Sequence, residues 1–174
     1  MKTVAIIGAG PLGHWLALRA ARAGYRVLLE DVMPSNLRHA RESIRSELGR
    51  EALSTVEFVS TIEDAVREAD LVIDCVPDEL ESKLEIVWLL DRMAPPRTVI
   101  ATPTMNQSIA DLANCTYRAD KCIAIVASPQ SLIADAGPQV LLRAGPVTSD
   151  ETCALICEFW SQLGFQPQIE RGTA

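Results

Sequence analysis

Three glycines and an acidic pair carry the first chemical signal in this chain. Gly8, Gly10 and Gly13 follow the apolar run Val4 to Ile7 in a G-x-G-x-x-G spacing, and Glu30-Asp31 closes a second run, Tyr25 to Leu29. In a strand-turn-helix unit each glycine has its own task. The first permits a tight reversal, the second lets a phosphate approach bare backbone, and the third lets the helix lie close to the strand. A helix opening at Pro11 and Leu12 offers unpaired N–H groups and a partial positive charge to an anion. Pro11 suits that first turn, where its missing N–H is not needed. An acid about 20 residues beyond the glycines is the expected acceptor for ribose hydroxyls. Asp31 fills that place, with Glu30 as its alternate. A tight βα turn without a ligand accounts for the glycines but not for the acids. The pattern predicts a dinucleotide site, and acid at the ribose repels a 2′-phosphate, favouring NAD over NADP.

Holding these groups in place requires strands alternating with helices, and the rest of the chain supplies them. Apolar runs predict strands at 2–7, 25–30, 56–59, 70–76, 97–101, 122–127, 139–143 and 165–170. Helical periodicity predicts helices at 12–23, 35–48, 61–69, 78–93 and 107–113, and another from Ser149. The helix at 78–93 is expected to bury Leu80, Leu84, Val87 and Trp88, and the last helix Leu155, Ile156, Phe159, Trp160 and Leu163. The implied fold is α/β: a Rossmann-type, doubly wound, mostly parallel sheet with helices on both faces, in one domain over 1–174. Ligands collect at the carboxyl ends of such strands. That gathers Gly8 to Gly13, Asp31, Val76 to Asp78, Thr102 to Asn106 and Val126 to Pro129 around one crevice.

The bulk numbers exclude other classes of function. A net charge of −7 over 174 residues argues against nucleic-acid binding, which needs a basic surface. The apolar runs are too short to span a bilayer, and the first strand starts where a signal peptide would stand. Cys75, Cys115, Cys122, Cys153 and Cys157 form no C-x-x-C pair and read as reduced, buried thiols of a cytoplasmic protein rather than metal ligands. His14 is expected near the pyrophosphate, its pKa lowered by the helix N-terminus, and His39 in solvent. Asp135 falls in an irregular segment that could face the crevice.

Taken in order, these stretches resemble the NAD-binding domain of the 3-hydroxyacyl-CoA dehydrogenases. The carrying segments are Val4 to Gly13, Asp31, Asp70-Leu71-Val72-Ile73-Asp74-Cys75-Val76-Pro77-Asp78-Glu79-Leu80, Ala94-Pro95-Pro96, Thr98 to Thr104 and Thr148-Ser149-Asp150-Glu151-Thr152. The resemblance implies a cofactor wall that includes Cys75, Val76 and Thr102, with Lys83 near the nicotinamide ribose and Asp78 in place of a glutamate. It also shows replacements. Met105 stands where the family has a serine, with Asn106 beside it, and Val126 stands at the catalytic histidine. Ser128 falls near the family's asparagine, and Gln139 to Leu141 hold no acid where a glutamate orients that histidine. Trp15 replaces a small residue. In the family the histidine takes the hydroxyl proton while hydride passes to NAD. Catalytic residues therefore stay unassigned, with Asn106 and Ser128 as weak candidates.

The implied activity is NAD-dependent oxidation of a small molecule such as a 3-hydroxyacyl-CoA, in fatty-acid metabolism. Arg38, Arg41 and Arg45 share a helix face that is either solvated or available to a CoA phosphate. The alternatives are a non-catalytic redox-sensing or structural NAD-binding subunit, or a dehydrogenase of a sugar acid or small hydroxy acid. The family's following helical domain, which closes the acyl-CoA cleft, has no counterpart in these residues. A homodimer or a partner subunit is expected to cover the face it leaves.

Overall fold

Short apolar runs bounded by glycine, proline or acid form the strands, and amphipathic stretches between them form the covering helices. The computed structural model describes residues 2–134 and 137–172. In chain order come β1 (Thr3–Ile7), α1 (Pro11–Arg22), β2 (Arg26–Glu30), α2 (Pro34–Ala52), β3 (Val56–Val59) and α3 (Ile62–Val66). There follow β4 (Leu71–Asp74), α4 (Leu80–Met93), β5 (Val99–Pro103), α5 (Ile109–Asn114) and β6 (Cys122–Ile125). The chain continues through α6 (Pro129–Ile133), β7 (Gln139–Ala144), α7 (Asp150–Gln162) and β8 (Gln166–Arg171).

The strands form one sheet in the order β3-β2-β1-β4-β5-β6-β7-β8. The first six are parallel, β7 runs antiparallel to β6, and β8 runs parallel to β7. The fold is thus Rossmann-type, doubly wound and mostly parallel. Its crossovers diverge on either side of the β1–β4 junction, where a cleft must open. Register fixes what flanks that cleft: Ile7 pairs with Glu30 on one side and with Asp74 on the other.

Two apolar layers sandwich the sheet. Val4, Ile6, Val27 and Leu29 face one cluster with Leu16, Ile44, Ile156, Phe159 and Trp160. Ala5, Ile7 and Leu28 face the other, with Val66, Ile86 and Leu90. Edge-to-face contacts link Trp160 to Phe159 and Phe165, at centroid separations of 5.7 and 5.2 Å. Among the described residues, no helix is long and apolar enough to cross a membrane.

Some element boundaries differ from the sequence pattern. α2 runs past Leu48, with a break at Gly49 (φ 74°), and α3 stops at Val66. The larger correction is α4. Its buried face is Lys83, Ile86, Val87 and Leu90, whereas Leu80 and Trp88 are about half exposed at 51% and 50%. A lysine in the buried row hid the true i, i+3, i+4, i+7 stripe from the hydrophobic pattern.

Candidate cofactor-binding site

The β1–α1 turn is shaped by its glycines. Gly8 has φ +99°, a left-handed conformation, and its N–H donates to the Glu30 carbonyl at 2.8 Å. A Cβ on Gly13 would lie 1.8 Å from the Gly8 carbonyl oxygen, so α1 can approach β1 this closely only without a side chain. Gly10 precedes the helix and makes no side-chain cap, leaving the first-turn N–H groups around Pro11 and Leu12 open to an anion. Leu12 buries its side chain in the core and contributes backbone alone.

Asp31 sits beside this turn, 8% exposed. Its Oδ2 accepts from the Ala9 N–H at 2.8 Å and from Asn36 Nδ2 at 3.0 Å, and its Oδ1 accepts from the Met33 N–H at 2.7 Å. A carboxylate has about four acceptor positions, so one remains on Oδ1. Glu30 differs sharply. It is 2% exposed, and its Oε1 has no hydrogen-bond partner. Burial, then the Asp31 charge, pushes its carboxyl up to about 7, against a Gly8 N–H that favours the anion.

A cleft of about 570 Å³ opens over these groups, lined by Gly8, Gly10, Glu30, Asp31, Cys75 and Val76. Ile62 of α3 and Ile86 and Leu89 of α4 add an apolar wall suited to a flat ring. These helix residues belong to no motif, and sequence reasoning missed them. Among the described residues the cleft lining carries three carboxyl side chains, Glu30, Asp31 and Glu85, and no basic one. A ligand carrying a 2′-phosphate meets repulsion there. The Cys75 thiol is raised well above its ordinary range by burial, and it presents a neutral surface.

The residues fit an adenine dinucleotide on three observations. A Cβ on Gly10 would meet nothing within 4 Å, so there is room above the turn. Asp31 keeps an acceptor for a ribose hydroxyl. The orphaned Glu30 oxygen marks a polar position in an otherwise apolar wall.

Other expected cofactor positions are placed differently. Lys83 is closed to the cleft: it is 0% exposed, and its Nζ bonds Asp74 Oδ1 at 2.5 Å. Thr102 is also buried beneath the crevice. It interacts with Asp74, yet Thr102 Oγ1 and Asp74 Oδ2 lack a partner of good hydrogen-bond geometry. Asp78 turns away to hold the loop after β5. It accepts from Thr104 Oγ1 at 2.5 Å, from the N–H groups of Met105 and Asn106 at 2.9 and 3.3 Å, and from Asn106 Nδ2 at 3.2 Å. Burial opposes its charge, but these donors and the Lys83 cation outweigh that and hold it below the usual range. Met105 is 57% exposed on that loop.

The far end of the crevice mixes apolar side chains with amides and a hydroxyl. Val126 donates its N–H to the Leu141 carbonyl at 2.8 Å and lines a cavity of about 360 Å³ with Leu132, Val140, Leu141 and Phe165. Ser131, Gln139 and Gln168 add polar side chains to its lining. Ser128 caps α6, accepting from the Ser131 N–H at 3.1 Å, and Asn106 is committed to Asp78. Asp135 lies outside the described residues. His14 has a lowered pKa as expected, but burial is the leading cause, ahead of opposing effects from Glu47 and His39. His39 is exposed, and Arg41 stacks over Phe58 at 4.8 Å.

The sequence model for the 3-hydroxyacyl-CoA dehydrogenase NAD-binding domain matches residues 3–169. The chain belongs to this family. It is 31% identical to a 3-hydroxybutyryl-CoA dehydrogenase of Bradyrhizobium diazoefficiens, over 97% of this chain and 61% of that protein. It is 30% identical to a 5-formyl-3-hydroxy-2-methylpyridine 4-carboxylate 5-dehydrogenase of Mesorhizobium japonicum, over 97% of this chain and 57% of that protein. The crystal structure of an (S)-3-hydroxybutyryl-CoA dehydrogenase from Ralstonia eutropha superposes with a TM-score of 0.88 at 26% identity, covering 99% of this chain and 64% of that one. The chain therefore spans roughly three-fifths of the length of these dehydrogenases. The matched region is the family's NAD-binding domain.

Proposed function

We propose that this chain is the cofactor-binding part of an NAD-dependent dehydrogenase acting on a 3-hydroxyacyl-CoA-like substrate. The observation that carries the reading is the acidic cleft joined to the open glycine turn at the sheet's switch point. Bound NAD supplies a hydride acceptor or donor. The chain's own residues bind and orient it. Backbone N–H groups at the start of α1 meet the diphosphate, Asp31 takes a ribose hydroxyl, and Ile62, Ile86 and Leu89 exclude water from the adenine. Asp78 fixes the Met105–Asn106 loop at the substrate side.

A second reading, an NAD-binding redox-sensing or structural subunit, is favoured by Val126. An alkyl side chain neither takes nor gives a proton, and a general base contributes about 10²–10⁴-fold to such rates. The relatives are named for both acyl-CoA and pyridine substrates, so a non-CoA hydroxy or aldehyde substrate is a further option within the first reading. We place the protein in the cytoplasm, a reading supported by five free cysteines. Self-association through the outer stripe of α4 would cover the half-exposed Leu80 and Trp88, and sedimentation as a monomer at micromolar concentration counts against it.

The deciding experiment follows NADH consumption with short- and long-chain 3-oxoacyl-CoA substrates, alongside NADH binding by calorimetry. Consumption with any of them supports the dehydrogenase. Binding without turnover across the panel supports the second reading.

A further inference from the structure

We propose that Glu30 contacts the adenosine half of the dinucleotide as a neutral carboxylic acid, so that cofactor binding takes up one proton. The inference rests on the NAD site described above and adds to it a second, proton-linked carboxyl beside Asp31.

Glu30 ends β2 at the level of Ile7 and follows Leu28 by two residues, so it shares Leu28's face of the sheet, toward α3 and α4. It therefore stands in the cleft wall on the apolar side, while Asp31 stands over the glycine turn. The two carboxyls are equipped differently. Asp31 accepts three hydrogen bonds, whereas Glu30 has an orphaned buried oxygen.

The charged groups on every side give a Glu30 anion little support. Its own strand leads into Asp31. Across β1 the Gly8 N–H is the one group that favours the anion. On β4, Asp74 is already paired with Lys83, and Cys75 is a neutral thiol. On β3, Glu57 is held by Arg26. α3 brings Glu63 and Asp64, the latter bonded to Arg67. α4 brings Glu81 and Glu85, and α2 contributes the neutral Asn36 to the wall.

Nucleotide binding worsens the position of an anion here. It strips the remaining water from the wall and brings a negatively charged diphosphate to the nearby turn, and both effects disfavour a carboxylate. A neutral carboxyl, by contrast, has one O–H donor and a carbonyl acceptor, which suits a ribose hydroxyl or an adenine ring nitrogen. The proton comes from solvent, and no other bond changes. The carboxyl's position near 7 in the free protein puts the linkage in the neutral range.

The test is direct titration of NADH into the protein from about pH 5.5 to about pH 9, repeated by calorimetry in buffers of different ionisation heat. Affinity is expected to be flat at the acid end and to fall by up to about tenfold per pH unit above neutrality, with uptake approaching one proton. Glu30→Gln, checked for folding by circular dichroism, is expected to bind within about threefold of the acid-limit affinity with a flat profile and no proton uptake. Asp31→Asn is expected to bind more weakly at every pH while keeping the slope. A flat profile in the unaltered protein, or an unchanged slope in Glu30→Gln, overturns the proposal while leaving the NAD site standing. Absence of NADH binding at every pH overturns both.

Discussion

The two ends of the crevice solve opposite problems. At the β1–β2–β4 end, polar groups are brought together and not all find partners: Asp31 holds three donors, while Glu30 Oε1 in the cleft wall and Asp74 Oδ2 beneath it have none. At the β6–β7 end, Val126 sits among leucine, valine and phenylalanine, and polar groups elsewhere along that rim are spent on the loop and cap they stabilise. An unpaired buried polar group is costly, and one that faces a cleft gains a partner when a polar ligand binds there. The contrast supports cofactor binding at the first end; at the second, Val126 cannot move a proton.

The largest expected effect tests what supports the nucleotide end from below. Lys83→Met strands the buried Asp74 charge and should lower stability by about 3–5 kcal/mol in chemical denaturation. Adding Asp74→Leu should recover most of it. If the double variant is stable and binds NADH normally, the pair is scaffolding rather than cofactor machinery, as its burial indicates.

Gly13→Ala comes next. Its Cβ meets backbone rather than a flexible side chain, so the turn must open, at about 3 kcal/mol and with loss of NADH binding in a fluorescence titration. Asp31→Ala removes the acceptor for Ala9, Met33 and Asn36. About 1–3 kcal/mol of stability and at least tenfold in NADH affinity should go with it. Retained affinity would move the ribose contact elsewhere in the cleft.

A pH effect on the free protein sharpens the contrast within the acidic pair. Unfolded glutamate ionises near 4.5 and folded Glu30 near 7. Above 4.5 the folded state keeps a proton that the unfolded state has lost, so this group's contribution to stability falls as pH rises and levels off above 7. The decline is bounded at about 1.4 kcal/mol per pH unit. Glu30→Gln should remove it from melting curves taken across that range.

The smallest effect is expected at the far end. Val126→His adds an imidazole to a wall that, among the described residues, holds no acid to orient it, and 3-oxoacyl-CoA turnover should change by less than about tenfold, below the contribution of a working base. A larger gain would show that the apolar end retains more of a catalytic frame than its lining suggests.

Local rules made the nucleotide end legible in the residues themselves. A glycine at positive φ, a glycine against a strand and an acid at a strand end are each dictated within a few residues. Nearly continuous apolar runs likewise marked the central strands, because a parallel sheet covered on both faces buries both sides of each strand. The cleft's outer wall was not legible. Ile62, Ile86 and Leu89 come from two helices and carry no signature until the sheet brings them together.

By itself, then, the sequence determined the alternating fold, the glycine turn and Asp31, since backbone conformation and hydrophobic period are properties of neighbouring residues. Only the tertiary structure decided that Lys83 is sealed against Asp74, that α4 buries a different face, that Asp78 braces a loop, and that one buried Glu30 oxygen is left without a partner. Each depends on groups contributed from distant parts of the chain, and on the water that their packing removes.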